Sequence, residues 1–219
     1  MMDGQGARRG GKLYRSIAWS LAAVLLAAVG WGSSAQALGM AEYKIDGRCR
    51  AIVLSGDISG GEAQYFIPQM IAAADRCGTN VIVMQAMPGG SVTDAIAIGE
   101  VVRAREYVTA MLPNSVCASA CGLIYLAGVQ RYWRPNGKFV IHKPEIRSSR
   151  PFKSLAEEHQ AYDDLKVRLI RYVSGMGANP DYIEAMYVVG GDNPGPKLRN
   201  LENVDLTRLG LVTMVGSPF

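Results

Sequence analysis

Short, continuous apolar runs alternate along the chain with stretches whose apolar positions recur every three or four residues. That alternation predicts buried strands separated by amphipathic helices, an α/β domain with a mostly parallel sheet. Residues 50–55 form the first run, which ends in a Gly-rich turn from Gly56 to Gly61. Residues 62–76 read as a helix with Tyr65, Ile67, Met70, Ile71 and Ala74 on its apolar side, stopped by Gly78. A second buried strand over 80–85 leads into Pro88-Gly89-Gly90. Residues 94–104 are helical, with Ala95, Ile98, Val101 and Val102 on one face, and 107–112 make a third strand. Residues 119–126 are apolar all round and read as a buried helix. Two β segments, 131–134 and 138–142, are split by the turn Pro135-Asn136-Gly137. After Pro151 a long amphipathic helix runs to about Ser174 on Leu155, Tyr162, Leu165, Leu169 and Val173. A short helix near Pro180, a loop over 189–200, a helical turn and a strand over 211–215 complete the pattern.

The chain's 219 residues suit one domain, residues 38–219, behind a targeting segment, residues 1–37. Arg8, Arg9, Lys12 and Arg15 precede an apolar run over 17–29, and Ala35-Gln36-Ala37 supplies the small residues a signal peptidase needs. A cut after Ala37 directs the mature chain to the periplasm or out of the cell. An uncleaved membrane anchor is the alternative, but the run is short for a span of ~20 residues. The leader also carries most of the charge. It holds four of the 23 Lys and Arg and one of the 19 Asp and Glu, leaving 19 basic and 18 acidic residues, a net +1. Nothing basic then remains to argue for nucleic acid.

All four cysteines, Cys49, Cys77, Cys117 and Cys121, follow the leader. Export makes disulfides the natural expectation, and no Cys-x-x-Cys pair argues for a metal site. Cys49 opens the first predicted strand and Cys77 ends the helix leading to the second, which places both at one edge of a parallel sheet and predicts a bridge. Cys117 and Cys121 flank Ser119 and are expected to remain small buried thiols.

Three features carry chemistry: Pro88-Gly89-Gly90 after a strand, Ala118-Ser119-Ala120 at a strand-to-helix junction, and His142 at the end of a later strand. A serine hydroxyl is a poor nucleophile unless a positioned base takes its proton. The oxyanion formed on attack needs fixed N–H donors, and glycines let backbone N–H groups come close to a ligand. His159 lies among Glu157, Glu158 and Gln160 and reads as surface.

In this order the residues from Val81 to Pro144 resemble the proteolytic subunit of Clp protease and, more widely, the Clp protease/crotonase superfamily. The family pattern is a strand ending Ser-Pro-Gly-Gly, a helix, a strand, Ala-Ser-(Met)-Ala, a helix ending Ala-Gly, a Pro-Asn turn and Ile-His-x-Pro. This chain has Met87-Pro88-Gly89-Gly90, Ala118-Ser119-Ala120-Cys121, Ala127-Gly128, Pro135-Asn136 and Ile141-His142-Lys143-Pro144. Leu209-Gly210-Leu211-Val212 resembles the family's closing Tyr-Gly-Leu-Val.

The resemblance implies a ClpP/crotonase-like spiral of ββα units, a mostly parallel sheet flanked by helices. It implies Ser119 as nucleophile, His142 as general base, and the N–H groups of Gly90 and Ala120 as oxyanion donors, with Gly89 in the same loop. The third group is Asp192, with Asp205 second; a dyad helped by a backbone carbonyl is the remaining option. Neither cofactor nor metal is implied. Outside the cytoplasm there is no ATP to drive an unfoldase partner. The expected activity is therefore an ATP-independent serine peptidase on peptide or unfolded protein substrates, in a chain that can form a homo-oligomer. The alternative is a non-catalytic member that binds peptides or envelope proteins through the same cleft. Crotonase-type acyl-CoA chemistry is disfavoured outside the cytoplasm. Mass spectrometry of the protein recovered from the cell envelope should find Leu38 at its N-terminus, and an intact Met1 would refute the cut.

Overall fold

The computed structural model describes residues 37–147, 150–190 and 198–219; the predicted leader up to residue 36 lies outside them. The sheet begins with a hairpin absent from the pattern of apolar runs. β1 (Gly39–Ile45) and β2 (Arg48–Ser55) pair antiparallel around Asp46 and Gly47, at φ 50° and 75°. An Asp-Gly pair favours that tight turn because both central residues need positive φ.

Two strand–helix–strand steps follow. α1 (Ala63–Cys77) leads to β3 (Val81–Met87) and α2 (Val92–Ala104) leads to β4 (Val108–Ala118), with β2, β3 and β4 parallel. A parallel neighbour obliges the chain to cross back over the sheet, and the crossing helix buries one stripe. In α1 that stripe is Ala63, Phe66, Met70, Ala73 and Ala74. Tyr65, expected on the apolar side, is 68% exposed instead. Alternate strand residues divide between two clusters: Ile52, Leu54, Ile82 and Met84 join the helices, while Ala51, Val53, Val81 and Val83 face the other way. Burial on both faces explains why these strands read as unbroken apolar runs.

β4 is longer than its apolar pattern. The expected end at Leu112 reflects Pro113-Asn114, yet the strand continues to Ala118. Its first half, Thr109 to Met111, pairs with β5 (Arg131–Trp133), and its second, Val116 to Ala118, pairs with β6 (Lys138–Ile141). Against β3, Met84 faces Met111 but Ala86 faces Val116. The extra residues form a bulge with Asn114 at φ 63°, and there an exposed proline costs no ladder bond. The sheet runs β1-β2-β3-β4-β5-β8, where β8 is Met214–Val215, and β6 branches from β4 carrying β7 (Arg199–Asn200) antiparallel. With its helices this is the expected α/β class.

The remaining helices are α3 (Cys121–Leu126), α4 (Leu155–Gly175), α5 (Asp181–Gly190) and α6 (Asn203–Arg208). α3 is wholly buried. α4 buries Leu169, Tyr172 and Val173 in its C-terminal half, whereas Leu155, expected on the stripe, is 73% exposed at its start. Cys49 and Cys77 are bridged across 28 residues, a loop whose closure contributes about 3–4 kcal/mol in the chain-entropy account. The expectation of reduced thiols at Cys117 and Cys121 is wrong. These two are bridged as well, because the two-residue turn from β4 to α3 brings their Cα atoms to 5.3 Å with both side chains facing the core.

Arg131 binds the helix ends together. It is 4% exposed, and among the described residues no carboxylate pairs with it. Its guanidinium donates to five carbonyls: Leu211 at 2.9 Å, Leu126 at 3.3 Å, Gly128 at 3.1 Å, Met176 at 3.2 Å and Gly210 at 2.9 Å. Leu126 ends α3, Met176 caps α4 and Gly210 follows α6. Helix C-termini carry unpaired carbonyls and partial negative charge, and a planar five-donor cation satisfies several at once. Arg103 adds bonds to Met176 at 2.6 Å and Leu126 at 3.4 Å. Arg131→Ala leaves these carbonyls without their donor and should lower stability by about 1–3 kcal/mol for each one that stays buried and unpaired. Arg131→Lys should recover little, since an ammonium cannot match the fork; urea denaturation of both variants checks the ranking.

Candidate active site

The C-terminal ends of β3, β4 and β6 lie side by side, and the residues singled out in the sequence follow them. After β3, Pro88-Gly89-Gly90 runs to Ser91, the N-cap of α2. Gly89 and Gly90 have φ of 111° and 129°, a region that L side chains rarely adopt. A Cβ on Gly89 would lie 2.6 Å from the Ser119 Cβ, 2.7 Å from the Ala118 oxygen and 3.1 Å from the Ala120 nitrogen. A Cβ on Gly90 would strike the carbonyl of Ile58. Ile58 fixes this loop from its other side: its N–H donates to the Gly89 oxygen, and its oxygen accepts from Ser91 N–H, both at 2.7 Å. In such a parallel bridge the residue between the two bonds turns its own N–H away. The Gly90 N–H therefore faces the β4 side. Among the described residues no protein acceptor takes it, or the N–H of Ala120.

Ser119 occupies the elbow between β4 and α3 at φ 55°, and is half-buried. Left-handed backbone costs a residue with a Cβ about 1–2 kcal/mol, and such strain persists only where the surroundings impose it. Ser119 N–H donates to the Val140 oxygen at 2.8 Å, tying the elbow to β6, and the Ser119 oxygen accepts from Gly122 N–H at 3.0 Å.

β6 brings the histidine. Ala118 is in register with Val140 on parallel strands, so His142 emerges just past the end of β6, alongside the elbow. His142 Nδ1 lies 2.7 Å from the Lys143 oxygen. A carbonyl only accepts, so in this bond Nδ1 carries the proton, and in the neutral ring the lone pair is then on Nε2. The Lys143 ammonium sits 4.7 Å from the centre of the Tyr162 ring, holding this segment to α4.

Of the two candidate carboxylates, Asp192 lies outside the described residues. Asp205 belongs to α6 and pairs with Arg199 at 2.8 Å and Arg208 at 3.4 Å. Burial pushes its carboxyl up, but the charge of Arg199 and hydrogen bonds from Arg208 and Arg199 outweigh this and hold it below its ordinary value. Among the described residues no carboxylate pairs with His142. His159 is exposed on α4, as expected.

The sequence reading missed Asp94, the buried carboxylate behind the glycine loop. It is 6% exposed and accepts from Gly61 N–H at 3.1 Å, Ala63 N–H at 2.9 Å and the Ser91 hydroxyl at 2.5 Å. Ser91 in turn accepts from Asp94 N–H at 3.2 Å. One carboxylate thus serves the N-termini of both α1 and α2, where the helix dipoles favour negative charge, and clamps the β2–α1 loop to the Gly89-Gly90 loop. The signal was present as Ser91-x-x-Asp94, a capping pattern.

The Clp protease family profile matches residues 39–185. The ATP-dependent Clp protease proteolytic subunit 2 of Pseudomonas aeruginosa is 26% identical over 159 residues, covering 70% of this chain and 78% of that protein. Among solved structures, a mutant of the 1510-N membrane-bound stomatin-specific protease superposes with a TM-score of 0.51 at 14% identity, covering 76% of this chain and 78% of that one. That likeness concerns the fold.

The clamp predicts a pH effect. Burial pushes the Asp94 carboxyl up, but the hydrogen bonds from Ser91, Ala63, Gly61 and its own N–H together hold it below its ordinary value. A depressed carboxyl contributes stability that is complete above its unfolded value, roughly 3.9, and lost as pH falls through its folded value. Asp94→Asn should cost about 1.5–3 kcal/mol near neutrality and flatten the acid limb of the stability profile. Thermal melts of both proteins from neutral to acid pH measure this.

Proposed function

The chain belongs to the Clp protease family, and from that premise we propose that it is an exported, ATP-independent serine peptidase acting on short or unfolded polypeptides. The observation that supports this reading is the close approach of the Gly89 backbone to Ser119 and the Ala120 nitrogen, next to two N–H groups, those of Gly90 and Ala120, that no protein acceptor takes among the described residues.

In this reading Ser119 Oγ attacks the scissile carbonyl carbon while His142 Nε2 takes the hydroxyl proton. The carbonyl π electrons move to oxygen, and the N–H groups of Gly90 and Ala120 stabilise the resulting anion. The Lys143 carbonyl holds the imidazole through Nδ1–H and favours the cation formed on it, the service a carboxylate gives in a triad. Collapse of the tetrahedral intermediate returns the electron pair to the carbonyl and breaks the C–N bond, and the departing amine takes the proton from Nε2. Water, deprotonated by the same nitrogen, then releases the acyl group and restores Ser119.

A substrate lying extended beside the glycine loop gains main-chain hydrogen bonds without regard to side chain, which suits unfolded segments. Export rests on the basic and apolar leader and its Ala35-Gln36-Ala37 site. Among the described residues Leu38 is the first in the core and β1 starts at Gly39, so a cut there would spare both. Assembly into a homo-oligomer, without an ATPase partner, completes the proposal.

A fluorophosphonate probe tests the reading directly. The parent protein should label on Ser119, Ser119→Ala should abolish labelling with the fold intact, and His142→Ala should slow it by several orders of magnitude. A parent that does not label, or a Ser119→Ala variant that labels equally, would overturn it in favour of a non-catalytic binding protein.

A further inference from the structure

Ser119 is the middle one of the three residues enclosed by Cys117 and Cys121. Those cysteines are fully buried and bridged, one at the end of β4 and the other at the first position of α3. The bond thus closes a small ring around the point where the backbone takes a left-handed turn at φ 55°. Few other hydrogen bonds among the described residues hold that turn. α3 has only six residues, its N-cap Ala120 makes no side-chain bond, and its first turn has no acid. Of the elbow's three backbone bonds, those from Gly122 to Ser119 and from Leu123 to Ala120 move with the helix, so among the described residues only that from Ser119 to Val140 ties the elbow to the sheet.

The tolerance is small. With a Gly89 Cβ position only 2.6 Å from the Ser119 Cβ, the glycine loop and the elbow already touch backbone to backbone. If Ser119 relaxed toward negative φ, its Oγ and the next N–H, that of Ala120, would swing away from Gly90 together. We infer that the Cys117–Cys121 bridge is a positioning device for the nucleophile, holding Ser119 in the left-handed region and its hydroxyl against the Gly89-Gly90 loop. The conformational part stands on the geometry; its catalytic consequence rests on the peptidase reading. The Cys49–Cys77 bridge ties the opposite end of the sheet and serves as the internal control.

The test compares Cys117→Ala/Cys121→Ala with Cys49→Ala/Cys77→Ala. Each is measured by thermal melting, by the rate of fluorophosphonate labelling, by kcat and KM on a p-nitrophenyl ester, and by the amide–Hα coupling constant of Ser119, which reports φ. The elbow variant should melt cooperatively, change its Ser119 coupling, and lose about a hundredfold in labelling rate and kcat with little change in KM, the scale of an ångström's misplacement. The control variant should melt lower and label as fast as the parent. An elbow variant that labels at the parent rate would overturn the inference, as would two variants whose rates fall only in step with their melting temperatures. If the parent itself fails to label, the peptidase reading fails alone. The coupling constant then decides: a changed value upholds the positioning role and an unchanged one overturns it. Should the double alanine variant not fold, Cys117→Val/Cys121→Ala, which refills the vacated volume, replaces it in the same measurements.

Discussion

At the candidate site two backbones meet with no side chain between them. Gly89 is the only kind of residue that can stand there, because any Cβ would overlap Ser119 and the carbonyl of Ala118. That contact sets how near the glycine loop lies to Ser119 and to the Ala120 nitrogen, and the neighbouring structure holds the two loops in it. Ile58 bonds the glycine loop on one side. Asp94 fastens that loop to the start of α1. Val140 on β6 receives the elbow, and the Cys117–Cys121 bridge encloses it.

The same electrostatic logic serves both kinds of helix end. N-termini present unpaired N–H groups: those at α1 donate to the buried carboxylate of Asp94, and that of α2 donates to the Ser91 hydroxyl, which in turn donates to the same carboxylate. C-termini present unpaired carbonyls, and those of α3, α4 and the stretch after α6 converge on one buried guanidinium, Arg131. Neither ion needs a counter-charge, since the backbone dipoles supply it. The arrangement makes short helices such as α3 tenable: with six residues and no side-chain cap, it would not persist without tertiary bonds at its ends.

The histidine fits the same pattern of backbone service. Its Nδ1 is held by the carbonyl of the next residue, so the ring's orientation depends on the path of the chain after β6 and on the packing of Lys143 against Tyr162. An aspartate in that place would add charge, whereas a carbonyl adds only a dipole. Ring orientation and tautomer are nonetheless set by either.

Several features were legible in the residues alone. The α/β class followed from apolar runs alternating with amphipathic stretches, because burial of a sheet on both faces leaves its mark on every residue of a strand. Ser119, His142, Gly89, Gly90 and Ala120 stood out because their motifs are short and local, and the structure brings them to neighbouring strand ends. The Cys49–Cys77 bridge followed from strand polarity. Other features were decided only in three dimensions. Asp94 bonds residues more than 30 positions away, Arg131 bonds carbonyls up to 80 positions away, and neither distance leaves a periodicity to read. The strand past Pro113 exists because a bulge lets β4 serve two partners, which local propensity argues against. Cys117 and Cys121 looked like isolated thiols because four residues of separation fit several backbone paths; the elbow's left-handed turn is the path that brings their Cα atoms to 5.3 Å. Composition and periodicity determine which surfaces must be buried, but contacts between distant segments depend on how those buried surfaces are stacked, and only the folded chain settles that.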